Sequence, residues 1–249
     1  MEAEQPFLVR SLAVTYGNGH RIGAHAHAWA QLVYARAGTM RLVTPNTTWL
    51  VPPTRAIWLP PGMVHEIEMR GAVSLRTLYL APDLVIGASK AARALEVAPL
   101  LRELVLHMLK MGLLTRIRPD HARLAGLLLD LLDAAREQDL SAPLPSDPRA
   151  LALAHRLVEA PGERAGLAAL ALRAGASLRT MQRLFSDQTG LSLQAWRQKA
   201  RLIHAVAVLS EGAPVTVAAL DCGYDSPSAF ITAFKRQFGV TPGRYGREA

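Results

Sequence analysis

The last 80 residues of the chain contain an internal duplication, and no other feature narrows the fold as far. Ser177–Phe185 aligns with Ser226–Phe234 at an offset of 49 residues, and the same offset pairs Gly190 with Gly239, Leu191 with Val240 and Trp196 with Tyr245. Gly175 pairs with Gly223 at an offset of 48, one residue of slack in a turn. Each copy reads as a short helix, a Gly-containing turn and a second helix opened by Ser. That is a helix-turn-helix unit.

In the first copy the helices are Leu167–Ala174 and Ser177–Gln188. Ser177 is placed to cap its helix by accepting from the orphan N–H groups that follow. Leu178, Met181, Leu184 and Phe185 follow the spacing of a buried stripe, which leaves Arg179, Gln182, Arg183 and Ser186 pointing away. Arg contacts guanine in bidentate fashion and Gln does the same with adenine, although a plain solvated face carries the same residue types. In the second copy Ser226 caps, Pro227 takes the first helical position, and Phe230, Ala233 and Phe234 face inward. Ser228, Thr232, Lys235 and Arg236 face out, a set suited to phosphates, deformed DNA and a few apolar base contacts. Between the copies Ser192–Leu209 predicts a helix ~27 Å long, enough to hold two reading helices near one DNA turn apart, ~34 Å.

The charge agrees with that placement. The 249 residues carry a formal +8, with only four Lys among 28 basic residues. Residues 1–148 hold 15 basic and 13 acidic side chains, net +2, whereas residues 149–249 hold 13 and 7, net +6. A basic domain joined to a near-neutral one points to a polyanion partner, with an Arg-rich bias spread over the surface as the plainer explanation. The single cysteine, Cys222, excludes a disulfide framework and multi-Cys metal sites, and reads as a small core residue. No apolar run reaches the ~20 residues of a membrane span, and the first thirty residues lack the pattern of a secretory signal. A cytoplasmic protein without membrane contact is the expectation.

Residues 7–80 read as β structure: Gln31–Ala35, Met40–Thr44, Thr48–Val51, Ala56–Leu59 and Ser74–Leu80 are short runs rich in Val, Leu, Thr and aromatics, cut by Gly and Pro. From about Ala92 the period changes to helical, with Leu100–Leu109 and Leu124–Leu132 as two apolar helices that either cover the β unit or form a dimer interface. Asp139–Pro148 has three prolines and reads as a linker. The expected domains are a barrel over 1–91, a helical dimerisation segment over 92–138, a linker over 139–148 and a helical DNA-binding domain over 149–249.

The segment Asp221–Tyr245, DCGYDSPSAFITAFKRQFGVTPGRY, and its partner unit Ala174–Trp196 carry a specific resemblance. Residues 160–247 resemble the C-terminal DNA-binding domain of AraC/XylS-type bacterial transcriptional regulators. The resemblance implies that Arg179, Gln182 and Arg183 contact bases, and that Ser228 and Thr232 stand at reading positions of the second unit. Thr232 departs from the longer or charged residue that members often carry there.

The N-terminal histidines make a second pattern. Gly19-x5-His25-x-His27-x3-Gln31-x6-Gly38 resembles the first cupin motif, with Gln31 in place of the usual glutamate. Pro60-x-Gly62-x2-His65 resembles the second, with Thr54 where a leading Gly would stand and Met69 where a closing Asn would stand. Alternation along a strand puts His25 and His27 on one face, where His65 from another strand can join them. Three imidazoles and an amide oxygen are acceptable ligands for a first-row divalent metal; the alternative is a set of hydrogen-bonded barrel residues. Trp29, Tyr34, Trp49, Trp58 and Tyr79 are candidates for an apolar lining or for plain core. The run HAHAWAQLVYA with AIWLPPGMVHE resembles a subgroup with a small-molecule-sensing cupin, whose members often control a neighbouring efflux transporter gene.

Together these readings predict an α+β chain of two domains: a cupin-like barrel with two dimerisation helices, then an all-α domain of two helix-turn-helix units joined by a long helix. The expected function is transcriptional regulation, not catalysis. DNA binding or activation would be controlled by a small molecule or metal at His25, His27, Gln31 and His65. No cofactor is required, and a divalent ion at His25, His27 and His65 is the metal expectation. Expected partners are promoter DNA, contacted through Ser177, Arg179, Gln182, Arg183, Ser226, Ser228, Thr232, Lys235 and Arg236, a small effector, a second copy of the chain, and RNA polymerase should the protein activate. The alternatives are a metal-dependent cupin enzyme with an accessory helical domain, and a constitutive DNA-binding scaffold with a degenerate barrel.

Overall fold

Short β-branched and aromatic runs cut by Gly and Pro become strands, and leucine-periodic runs opened by Pro, Ser or Asp become helices. The computed structural model describes residues 7–248. In chain order the strands are β1 (Phe7–Tyr16), β2 (Arg21–His25), β3 (Ala30–Ala35), β4 (Thr39–Thr44), β5 (Thr47–Val51), β6 (Arg55–Leu59), β7 (His65–Arg70), β8 (Val73–Leu80), β9 (Arg93–Glu96), β10 (Leu113–Thr115) and β11 (Ser141–Pro143). The helices are α1 (Pro99–Met111), α2 (Pro119–Ala134), α3 (Pro148–Glu159), α4 (Leu167–Arg173), α5 (Leu178–Thr189), α6 (Leu193–Ser210), α7 (Val215–Asp221), α8 (Pro227–Phe238) and α9 (Pro242–Glu248). The chain divides into two compact units, one running to Thr44 and over Val51–Asp139, the other comprising Pro45–Leu50 and everything from Leu140 onward.

In the first unit a six-stranded antiparallel sheet has the order β10-β1-β8-β3-β6-β9, and β4, β7 and β2 pair in that order in a second sheet. β1 and β2 are not hydrogen-bonded to each other, so the cupin-like unit is two facing sheets and not a closed barrel. Directly paired residues of antiparallel strands share a face. Leu32 pairs with Trp58 and Leu78, and this face is packed by Leu101, Leu104, Val105 and Met108 of α1 and by Ala125, Leu128 and Leu132 of α2. Gln31 pairs with Leu59 and Tyr79 on the opposite face. The two leucine-rich helices therefore cover the sheet. The segment expected to be purely helical, 92–138, also supplies β9 and β10. These runs of three or four residues are too short to show a period of their own, and they pair with β6 and β1.

The second unit is helical apart from β11 and most of β5, which pair through Ser141 opposite Trp49. Asp139–Pro148 is thus built into structure where a linker was expected. Leu140, Ala142 and Leu144 are buried. Their alternation supplies one buried face of a strand even though the prolines exclude a helix. Trp196 Nε1 donates to the carbonyl of Pro143 at 2.6 Å, and Gln188 Oε1 accepts from the amides of Ser146 and Asp147. The duplication persists in three dimensions. Phe185 meets Trp196 edge-on with centroids 5.4 Å apart, and Phe234 meets Tyr245 edge-on at 5.5 Å. Such pairs contribute about 0.5–1.5 kcal/mol beyond their buried area.

Candidate nucleic-acid interface and histidine site

Both helix-turn-helix units form as the repeat predicts. Ser177 Oγ accepts from Thr180 N at 3.1 Å and Ser226 Oγ accepts from Ala229 N at 3.2 Å, so the equivalent serines cap the equivalent helices α5 and α8. Gly175 and Gly223 make the two turns with φ of 80° and 70°, a region that disfavours side chains with a Cβ. At Gly223 an added Cβ would also lie 2.7 Å from Arg201 Nη2.

Met181, Leu184 and Phe185 in α5, and Phe230, Ala233 and Phe234 in α8, are buried as expected, whereas Leu178, expected in the same stripe, is half-buried at the start of α5. Ser177, Arg179, Gln182 and Arg183 are exposed on α5, as are Ser226, Ser228, Thr232, Lys235 and Arg236 on or beside α8. Arg179, Gln182 and Arg183 make no hydrogen bond or ion pair among the described residues, so their donors are free. Thr232 differs: its hydroxyl donates to the carbonyl of Ser228 at 3.0 Å, one turn back, leaving mainly its methyl for an outside partner. Other arginines of this unit are internal struts. Arg197 donates to the carbonyls of Ala165 and Glu163, and Arg201 to those of Pro161 and Glu163, which fixes the loop before α4. Nothing in the periodicity distinguishes these struts from a DNA-facing arginine; only the packing of that loop does.

In the first unit His25, His27 and His65 converge, with one ring nitrogen from each within 4.8 Å of the others. His25 ends β2 and pairs directly with His65 at the start of β7, their rings 4.3 Å apart. His27 does not sit on the strand, as alternation predicted. β2 stops at His25 after a register shift, and His27 lies in the connection to β3. Its ring still reaches the cluster, 5.3 Å from His65.

Each imidazole is held by a backbone carbonyl: His25 Nδ1 by Gly23 at 2.8 Å, His27 Nδ1 by Trp29 at 2.8 Å and His65 Nδ1 by Met63 at 2.9 Å. A carbonyl oxygen only accepts, so each Nδ1 is the donor in its contact. His65 is 1% exposed, and its Nε2 is buried without a hydrogen-bond partner. Burial, reinforced by the neighbouring histidines and opposed by the Met63 hydrogen bond, pushes its pKa down to about 4.

Gln31 completes the set. Its Nε2 donates to Thr77 Oγ1 at 2.9 Å, and that hydroxyl donates onward to the carbonyl of Leu32 at 3.1 Å. Gln31 Oε1 is therefore turned toward His27 Nε2, 3.0 Å away. Three imidazole nitrogens and an amide oxygen, with the orphaned buried Nε2 of His65 among them, fit a first-row divalent ion. Of the five aromatics, Trp29 and Tyr79 stand beside the cluster, at 6.0 and 5.3 Å from the His27 ring. Tyr34 and Trp58 belong to the helix-covered core, and Trp49 to the second unit. Thr77 is the residue sequence reasoning missed; Ser74 and Arg76 in the same strand are polar too, so nothing in the run singles it out.

Residues 11–154 match the family of AraC-like ligand binding domains, and residues 170–248 match a helix-turn-helix domain. The HTH-type transcriptional regulator NimR of Escherichia coli (strain K12) is 35% identical over 221 residues, which span 89% of this chain and 81% of NimR. The HTH-type transcriptional regulator RipA of Corynebacterium glutamicum is 35% identical over 103 residues, 41% of this chain and 31% of RipA. Among solved structures, unsaturated fatty acid bound ToxT from Vibrio cholerae aligns over 98% of this chain and 96% of its own, at 12% identity and a TM-score of 0.41. A sheet unit that binds a ligand, followed by paired helix-turn-helix units, defines a class of DNA-binding transcriptional regulators. This chain belongs to the AraC family of that class.

Proposed function

We propose that His25, His27, Gln31 and His65 form the effector-sensing centre and hold a divalent metal. On the DNA side, we propose that Arg179, Gln182 and Arg183 read base edges while Ser177, Ser226, Ser228, Thr232, Lys235 and Arg236 make the remaining contacts to promoter DNA. The observation that carries the first part is the convergence of His25, His27 and His65, one ring nitrogen of each within 4.8 Å of the others, with the buried Nε2 of His65 unpartnered. When bound, a metal supplies a charged anchor for a lone-pair donor on a small effector. Trp29 and Tyr79 flank that position, and the carbonyls of Gly23, Trp29 and Met63 keep the three rings oriented.

Effector binding switches the protein only if two conformations bind it with different affinity. Leu100 of α1 and Leu127 of α2 remain 59% and 40% exposed, which supports a homodimer formed through the outer faces of these helices. A contact with RNA polymerase follows where the protein activates. NimR and RipA are transcriptional regulators, and we assign no catalytic role to this chain. Among the described residues no helix is long and apolar enough to cross a membrane; we place the protein in the cytoplasm with its DNA.

The test uses the full chain, loaded with Zn²⁺ or stripped by chelator, with metal counted by mass spectrometry and binding measured on DNA from its own promoter region. One ion per chain, lost in His65→Ala, and an operator affinity that differs between the two forms are expected. Operator binding with no metal uptake would remove the metal and leave the regulator. Genomic footprints that avoid promoters would overturn the regulator itself.

A further inference from the structure

The helix-covered side of the six-stranded sheet carries a second concavity, remote in kind from the histidines. A cleft of about 240 Å³ opens between Trp58 of β6, Arg93 of β9, the turn Leu84–Ala88 and the last two turns of α2. Trp58 and Arg93 are paired across β6 and β9, and Trp58 is paired with Leu32 across β3, so all three point to the helix side. Gln31 and Leu59, their chain neighbours, point to the other. The cleft and the Gln31 side chain therefore lie on opposite faces of the six-stranded sheet.

Val85, Leu129 and Leu132 form its apolar walls, and Arg93 and Asp133 its polar side. Ile86, at the rim, is 85% exposed, an apolar side chain that water does not favour. Trp58 is 2% exposed and its Nε1 is already spent on the carbonyl of Ser89 at 3.1 Å, so it offers an aromatic surface and no donor.

On the polar side stands Arg93. Its side chain is only 16% exposed; Nη1 donates to Glu137 Oε1 at 2.9 Å, while Nη2 stands 3.8 Å from Asp133 Oδ1, beyond a hydrogen bond. One guanidinium thus stands between two carboxylates, and the local charge is already negative. A further anion is disfavoured, while a neutral acceptor would take the loosely engaged Nη2 without adding charge.

We propose that this cleft is a second small-molecule site, taking a compact neutral molecule with an apolar or aromatic body and one carbonyl-type oxygen directed at Arg93. The volume is right for such a ligand, since a dry cavity of ~150 Å³ accommodates benzene. This site goes beyond the histidine-centred reading and does not depend on it.

The experiment follows the tryptophan indole N–H signals of the full chain by NMR; the four tryptophans make the spectrum simple, and Trp58→Phe assigns the one of interest. The probes are acetophenone, ethylbenzene and benzoate. The Trp58 signal should shift saturably with acetophenone at concentrations up to about 10 mM, the weak range expected for a fragment of this size. Ethylbenzene, lacking the acceptor, should bind about tenfold more weakly, and benzoate more weakly than acetophenone. Leu129→Trp, which fills the cleft, should abolish the shift, and Arg93→Met should erase the advantage of acetophenone over ethylbenzene. His65→Ala should leave all three titrations unchanged, whether or not the histidine site binds a metal. No saturable shift, tighter binding of benzoate than of acetophenone, or a shift indifferent to Leu129→Trp would overturn the proposal. Should Arg93→Met fail to fold, Leu129→Trp and the ranking of the three probes still decide it.

Discussion

Gln31 presents its amide oxygen to His27 Nε2 at 3.0 Å because Thr77 holds the other end of the amide. The sign of the charge at that oxygen is open to change by mutation. Gln31→Glu places a carboxylate beside three imidazoles and should tighten divalent metal binding by about tenfold or more. Thr77→Val releases the amide, and loss of such an outer contact should weaken binding by about 10- to 100-fold. Titration calorimetry with Zn²⁺ would measure both, and a Gln31→Glu affinity no higher than wild type would count against a metal site.

Arg183 and Thr232 lie on the proposed reading faces of the two repeats, but only Arg183 has free donors. Arg183→Ala should weaken operator binding by ~1–3 kcal/mol and spare random DNA. Thr232→Ala removes a hydroxyl already given to Ser228 and should cost far less. Fluorescence anisotropy on both DNAs would separate base reading from phosphate contact, since equal losses on the two mean the latter. Affinity for either DNA should fall steeply between low and physiological salt.

Gly38 stands with φ at 75°, and a Cβ there would strike the backbone carbonyl of Ala72. Gly71 shares the positive φ, 78°, but faces open space. Gly71→Ala should therefore cost about 1 kcal/mol from the backbone alone, and Gly38→Ala clearly more, on the order of 2–4 kcal/mol. Thermal melts of the two variants, read at equal salt and pH, give the comparison.

Cys222 is fully buried, and burial pushes its thiol up to about 12. A raised pKa leaves almost no thiolate until the pH approaches that value, and the thiolate is the reactive form. Iodoacetamide at pH 8 should leave the native protein unmodified and label it once urea unfolds the second unit. Prompt native labelling, followed by mass spectrometry, would contradict the burial.

The helical unit was the more legible half. Ser177, Ser226, Gly175 and Gly223 mark helix starts and turns by local chemistry, and the buried stripe of α5 follows from a period of 3.6. The β unit was legible in outline, with β3, β4, β6 and β8 falling within a residue or so of their expected limits. It failed where pairing partners lie far off in the chain: β9, β10 and β11 are too short to announce themselves and exist because β6, β1 and β5 offer them a ladder. The prolines of Asp139–Pro148 hid the alternation of Leu140, Ala142 and Leu144.

By itself the sequence determined the duplicated reading unit, the excess charge that accompanies it, and the four side chains of the candidate sensing site, because capping, periodicity and motif spacing are properties of neighbouring residues. Tertiary structure decided the rest. It put His27 in a connection and still brought its ring to His65, turned Gln31 by way of Thr77, and spent Arg197 and Arg201 on loop carbonyls while leaving Arg179 and Arg183 free. The reason is that a donor's role depends on which acceptor is within 3 Å of it, and for these residues that acceptor comes from a distant part of the chain.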